Sequence, residues 1–216
     1  LGLELSNVEF GVAMMTSKAD ATRTWTSVQA EVGGAGFEGV DGITVSANGM
    51  GVKVNKVGRV GDHVVDYSVG ATELTVATGP DSELTFDMDG SKGELLQIGG
   101  GLTLDVFGFI QLEGSFAIEK STNTITLADP DGDGPLEGEE VEVNQMTVGG
   151  TVARAFAGIK GGTDDQLGLE LTGVEFGMAM MTSKADATRT WTSVQAEVGG
   201  AGFEGVDGIT VSANGM

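Results

Sequence analysis

The chain has no cysteine, so neither disulfide staples nor thiolate chemistry contributes to it. It has one histidine, His63, in Gly-Asp-His-Val with no nucleophile motif beside it. A serine or cysteine triad therefore has no base to build on, and His63 reads as a surface residue. Basic residues are scarce as well: 11 against 32 acidic, for a net charge of −21. That balance excludes nucleic acid, whose phosphates would be repelled, and disfavours anionic membrane surfaces. It suits cation binding, solubility in salt, or repulsion between neighbouring fibres. No apolar run reaches the roughly 18 residues of a spanning helix, and no signal peptide is visible, so no membrane insertion is expected in this segment. Long helices are missing too. The 37 glycines are spread through the chain, and each interior glycine costs a helix about 1 kcal/mol. Ser17–Thr22 has room for one turn and nothing more.

What is present is a repeat. Leu1–Met50 recurs as Leu167–Met216, an offset of 166 residues, and only Ser6/Thr172, Asn7/Gly173 and Val12/Met178 differ, so 47 of 50 positions are identical. The expected organisation is one full repeat, 1–166, in arbitrary phase, followed by the first third of the next, 167–216, as a window on a longer array. The 40% hydrophobic content supports a real core and argues against generic disorder.

The repeat reads as strands. From Leu102 to Ile118 every second residue is apolar or glycine: Leu102, Leu104, Val106, Gly108, Ile110, Leu112, Gly114, Phe116, Ile118. Period two over seventeen residues predicts one long strand with a buried face, with Gly108 and Gly114 allowing bends or bulges. Leu1, Leu3, Leu5 shift phase to Val8, Phe10, Val12, Met14 across Ser6-Asn7. Ile43, Val45, Ala47 shift to Met50, Val52, Val54 across Asn48-Gly49, which marks a hairpin or a bulge. Leu74–Ala77, Leu84–Met88, Thr124–Leu127 and Val141–Val148 are shorter candidates. Gly79-Pro80-Asp81, Asp89-Gly90, Asp131-Gly132 and Gly161-Gly162 punctuate them. The fold class predicted is all-β: an elongated antiparallel or solenoid-like repeat unit with long bent strands and little or no helix.

One segment carries chemistry. Residues 129–140 read DPDGDGPLEGEE. Asp129, Asp131 and Asp133 stand at loop positions one, three and five, with Gly134 at six for the sharp turn. Pro135 at seven offers a carbonyl, Glu137 stands at nine, and Glu140 closes at twelve as the bidentate ligand. That is the twelve-residue calcium-loop spacing, and five carboxylates so close repel one another unless a hard dication neutralises them. The flanks are strands, so the loop resembles that of an EF-hand without its helices. The alternative is a solvated acidic turn. Asp87-Met88-Asp89-Gly90 and Asp164-Asp165 read as turns, where Asp is common for backbone reasons. With 32 carboxylates, acid pairs for glycoside hydrolysis are uninformative, and no set of residues supports an enzyme.

Thr22, Thr24, Thr26 and Thr122, Thr124, Thr126 form alternating rows that suit an exposed strand face, with an ice- or glycan-binding face as the alternative. Trp25 and Trp191 are copies of one position and fit core packing better than a sugar platform.

The segments GLELTGVEFGMAMM (168–181), TRTWTSVQAEVGGAGFEGVDGITVS (188–212), FGFIQLEGSFAIEKSTNTITLAD (107–129) and VEVNQMTVGG (141–150) resemble the long tandem β repeats of giant bacterial surface or secreted proteins, adhesin-like and calcium-binding. The resemblance spans essentially the whole unit. It implies export to the cell surface or beyond, calcium-dependent rigidity, and a role as stalk, fibre or matrix. The nonapeptide GGxGxDxUx of the calcium β-roll is absent, so that fold is not implied. Expected partners are neighbouring copies of the repeat. Self-association of short chains into fibres by strand addition is the rival arrangement.

Overall fold

The computed structural model describes residues 2–39, 41–68, 70–128, 138–205 and 212–215. The chain is all-β, as expected. Nine strands form one antiparallel meander: β1 (Gly2–Thr16), β2 (Thr24–Glu38), β3 (Ile43–Val57), β6 (Leu95–Val106), β7 (Ile110–Thr126), β8 (Glu140–Ile159), β9 (Leu167–Ser183), β10 (Thr190–Glu204) and β11 (Ser212–Asn214), neighbours in that order. Between β3 and β6 the chain leaves the sheet to make a small hairpin, β4 (Thr75–Ala77) and β5 (Glu83–Thr85), and a 3-10 turn at Gly90–Lys92. No helix among the described residues is long and apolar enough to cross a membrane.

The period-two run over Leu102–Ile118 is two strands rather than one. Phe107 and Gly108 both take positive φ, 53° and 66°, and reverse the chain between β6 and β7. The loop has three residues, Phe107–Phe109, so Val106 and Ile110 face each other and point the same way. An odd loop leaves the alternation unbroken, which is why a hairpin looks like a continuous strand. Gly114 stands where the register between β7 and β8 slips, as a bulge requires. A side chain there would run into the Thr151 carbonyl of β8.

The two phase shifts are one physical feature. Asn7, Gly49 and Gly173 sit at left-handed φ values of 50°, 55° and 59°, which asparagine and glycine tolerate best. The exchange of Asn7 for Gly173 between the copies therefore preserves the backbone. Each extra residue flips the alternation, so Asn48-Gly49 is a bulge within β3 and not a hairpin. β6 and β7 lack it, and the register accordingly slips by one between β3 and β6 at Asn48/Gly51 and between β7 and β8 at Glu113/Gly114.

Register places one kind of side chain on each face. Phe10, Ala30, Val52, Ile98, Ile118, Val148 and Met178 form one apolar row across seven strands. This face is open to water, with Phe10 61% and Met14 81% exposed. The opposite face is polar, and it places Glu9 across from Glu31 and Glu175 across from Glu197. Like charges directly opposite are unfavourable.

The core lies where the segment 58–94 folds back over the polar face. Tyr67, Leu84, Phe86, Met88 and Leu95 are buried together, with Ala13, Met15, Val65, Leu74 and Val76 packed around them. Tyr67 meets Phe86 edge to face at 5.3 Å. Beneath lies a closed polar chain: the Tyr67 hydroxyl donates to Ser27 Oγ at 2.8 Å, Ser27 Oγ to Asn55 Oδ1 at 3.1 Å, and Asn55 Nδ2 to the Val65 carbonyl at 2.7 Å. Burial pushes the Tyr67 phenol up, and its bond to Ser27 opposes this in part. No buried side-chain nitrogen or oxygen among the described residues lacks a partner.

Candidate calcium loop and the junction between copies

The acidic loop is the connection from β7 to β8. Of its ligand set, Asp129, Asp131, Asp133, Pro135 and Glu137 lie outside the described residues. Glu140 is described: it opens β8, opposite Thr126, with its side chain exposed. The loop's base is closed by two backbone bonds, Leu127 N to the Glu139 carbonyl at 2.9 Å and Gly138 N to the Leu127 carbonyl at 3.1 Å. Gly138 has φ 70°, a value that suits glycine. Among the described residues no three acidic or histidine side chains converge as metal ligands.

This base is tied to the second copy of the repeat. Arg189 grips Glu139 with both terminal nitrogens, Nη1 to Oε1 and Nη2 to Oε2, each at 3.1 Å. Such a fork is the strong geometry for arginine and carboxylate. The hydrogen bonds from Arg189, with its charge, outweigh desolvation and hold the Glu139 carboxyl below the usual range. The Arg189 guanidinium also lies over Trp191, 5.4 Å from the ring centre. Lys184 adds two contacts to β8: its backbone N–H donates to the Glu142 carbonyl at 2.9 Å, and Nζ reaches Glu142 Oε1 at 2.6 Å. At the other end of the same strand pair, Arg154 on β8 donates Nε to Glu170 on β9 at 2.7 Å and its terminal nitrogens to Gln111 and Gln166.

Three cations, Arg154, Lys184 and Arg189, therefore span the boundary between repeat one and repeat two. The signal available beforehand was scarcity. In a chain with so few basic residues each arginine is committed to carboxylates, but which one depends on strand register.

A depressed carboxyl stabilises the folded state above its unfolded pKa, and the contribution fades as pH falls through the folded value. For Glu139 that window lies below the ordinary glutamate value of about 4.3. Glu139→Gln is thus expected to lower the melting temperature at pH 7, with the difference from wild type shrinking as pH falls below the ordinary glutamate range. Thermal melts of the two proteins across that range check this; a difference that persists unchanged in acid contradicts it.

The other candidates take structural positions. Trp25 donates its indole N–H to the His63 carbonyl at 2.9 Å and lies under Arg23. Asp87 pairs with Lys53 at 2.8 Å, Asp89 caps the 3-10 turn through Ser91 N, and Asp165 faces Lys160 at 3.5 Å. Ser17–Thr22 forms a turn in which Asp20 accepts from the Thr22 N–H and hydroxyl. The two threonine rows stand on different strands, with β3 and β6 between them. Thr22 lies in that turn, Thr24 and Thr26 on β2, and Thr122, Thr124 and Thr126 on β7 opposite Asn144, Glu142 and Glu140. A second cluster joins Arg59 to Asp20 and Asp62, and Arg23 to Asp62.

Comparison with protein-family models, with curated proteins and with solved structures finds no match to this chain.

Proposed function

We propose that this chain is a structural repeat of a long extracellular bacterial protein, building a calcium-stabilised stalk, fibre or matrix element. One observation carries the reading: the sheet does not stop at the repeat boundary. β9 and β10 have the register of β1 and β2, and β11 lies on β10 as the same residues of β3 lie on β2. β8 of the first repeat pairs with β9 of the second from Val143 to Ile159. Six strands per repeat thus enter one meander, and each further copy would add six more beside them. Stacking repeats so that each buries its boundary against the next is the logic of linear arrays.

Calcium fits the same reading. The loop at Asp129–Glu140 has calcium-ligand spacing, and the residue before its last ligand, Glu139, is the one Arg189 of the next copy holds. A dication there would tie down the loop beside the inter-repeat contact and offset part of the −21 charge. Binding to the folded state alone stabilises by about 2.7 kcal/mol at a hundredfold excess over Kd. For a domain of this size that is about 5–10 °C in melting temperature. Melts in calcium and in chelator test it. Equal melting temperatures would exclude the calcium part of the proposal.

A further inference from the structure

The apolar face of the sheet, which the row through Val52, Ile98 and Ile118 crosses, is open to water over its inner strands as well as its outer ones. Phe37 on β2, Ile110 on β7, and Met146 and Ile159 on β8 stand 37–51% exposed. Each of these strands has a neighbour on both sides, so the exposure does not come from the ends of the chain. Buried strand residues such as Ser27, Asn55, Leu95, Val143 and Phe156 all belong to the opposite face. We propose that the apolar face is a docking surface for the same face of a second copy of this chain, the two sheets closing into a two-layer sandwich. This goes beyond the side-by-side growth of the array, which uses strand edges, and does not depend on it.

Area, relief and charge each favour a second sheet as the occupant. Six strands about 4.8 Å apart, with apolar stretches of about 35 Å such as Leu96–Val106, present about 1,000 Å². A stable interface buries about 800 Å² per partner, so the strands of one repeat are enough. A single helix about 10 Å wide would leave about two-thirds of that width uncovered. The face also has no groove where its glycines stand. Met50 lies over Gly100 and Phe176 over Gly150, and an added Cβ at either glycine would come within 2.8 Å of the covering side chain. Broad apolar sheet faces pack on one another about 10 Å apart. Charge points the same way. Within the strands, the charged residues of this face are Lys56, Lys120, Glu140 and Glu142, all at the end beside the acidic loop. The rest of its length has none among the described residues, whereas Glu9, Glu31, Glu113, Glu119, Glu175 and Glu197 occupy the other face. Two copies of a chain with net charge −21 therefore meet here with most of their carboxylates turned outward.

Sedimentation and small-angle scattering of the wild-type chain test the proposal. The expected particle has twice the chain mass and is about 10 Å thicker than one sheet, with its width unchanged. A monomer overturns the inference, and so does a dimer that is wider rather than thicker, since that one joins by strand edges. Ile98 sits within the face on β6, with β3 and β7 paired on either side, so a substitution there does not touch an edge. Ile98→Lys should weaken the dimer at least about a hundredfold by burying an unpaired ammonium, although it lowers the net negative charge. Thr103→Lys, on the opposite face of the same strand, should stay within about threefold of wild type. Ile118→Lys on β7 repeats the test if Ile98→Lys fails to melt cooperatively. A dimer indifferent to both face variants, or weakened equally by Thr103→Lys, overturns the inference. So does a monomer that binds vesicles of neutral phosphatidylcholine, which would assign the face to lipid. These results bear on the face alone, and the side-by-side pairing of β8 with β9 stands or falls separately.

Discussion

Replacing Phe86 by alanine is expected to cost about 3–5 kcal/mol and to release the segment 58–94 from the sheet. Phe86 is 1% exposed, meets Tyr67 edge to face, and lies over Gly11 of β1, where an added Cβ would come within 2.8 Å of its Cε1. The buried set has five residues, so little surrounds the void that could collapse into it. The Tyr67–Ser27–Asn55 chain would lose its cover at the same time, and buried hydrogen bonds exposed to water lose most of their value. In a domain of this size the melting temperature should fall by about 6–20 °C. Tyr67 is the only tyrosine, so its ring resonances in an NMR spectrum report the event directly. Melting and tyrosine signals indistinguishable from wild type would show that the segment does not depend on this core.

The second large effect is a contrast between two copies of one residue. Gly168→Val should cost about 1–3 kcal/mol or more, because its side chain would enter the backbone of β8 at Ala157 and Gly158. A flexible neighbour could swing aside; a carbonyl fixed in a ladder cannot. Gly2→Val, the same substitution in the first copy, meets open space and should leave stability within about 0.5 kcal/mol of wild type. Urea titrations of both variants decide it. Equal losses would mean that β8 does not pack on β9 as closely as the structure has it.

How far the fold could be read beforehand depended on which periodicities belong to single strands. Alternation named β1, β3 and parts of β6, β7 and β8, and both phase shifts, because a left-handed residue such as Asn7 or Gly49 leaves a mark on sequence parity; β2, whose apolar positions are interrupted by Gly33 and Gly34, carried no such mark. It failed at Phe107–Phe109, since a three-residue reversal leaves parity intact. Leu84, Phe86 and Met88 were legible as an alternating apolar segment, yet not as the centre of a core. Their partners, Tyr67 and Leu95, come from irregular chain and from the start of β6, and no local pattern links them. The ligand spacing at 129–140 was legible because a calcium loop is a local motif. The junction was not: Arg189 meets Glu139 and Arg154 meets Glu170 only after β8 and β9 have paired, and pairing is a property of the sheet.

The central claim is that successive repeats extend one sheet side by side, six strands at a time. Strands lie about 4.8 Å apart across a sheet, so six should lengthen the particle by about 29 Å per repeat. Chains of one, two and three repeats, measured by small-angle scattering in calcium, provide the comparison. The account predicts a constant increment of about 29 Å, shortened only by coiling of the sheet, and a stiff cross-section of unchanged size. An increment of about 50 Å or more, the length of a 15-residue strand, would mean that repeats join end to end and would contradict it.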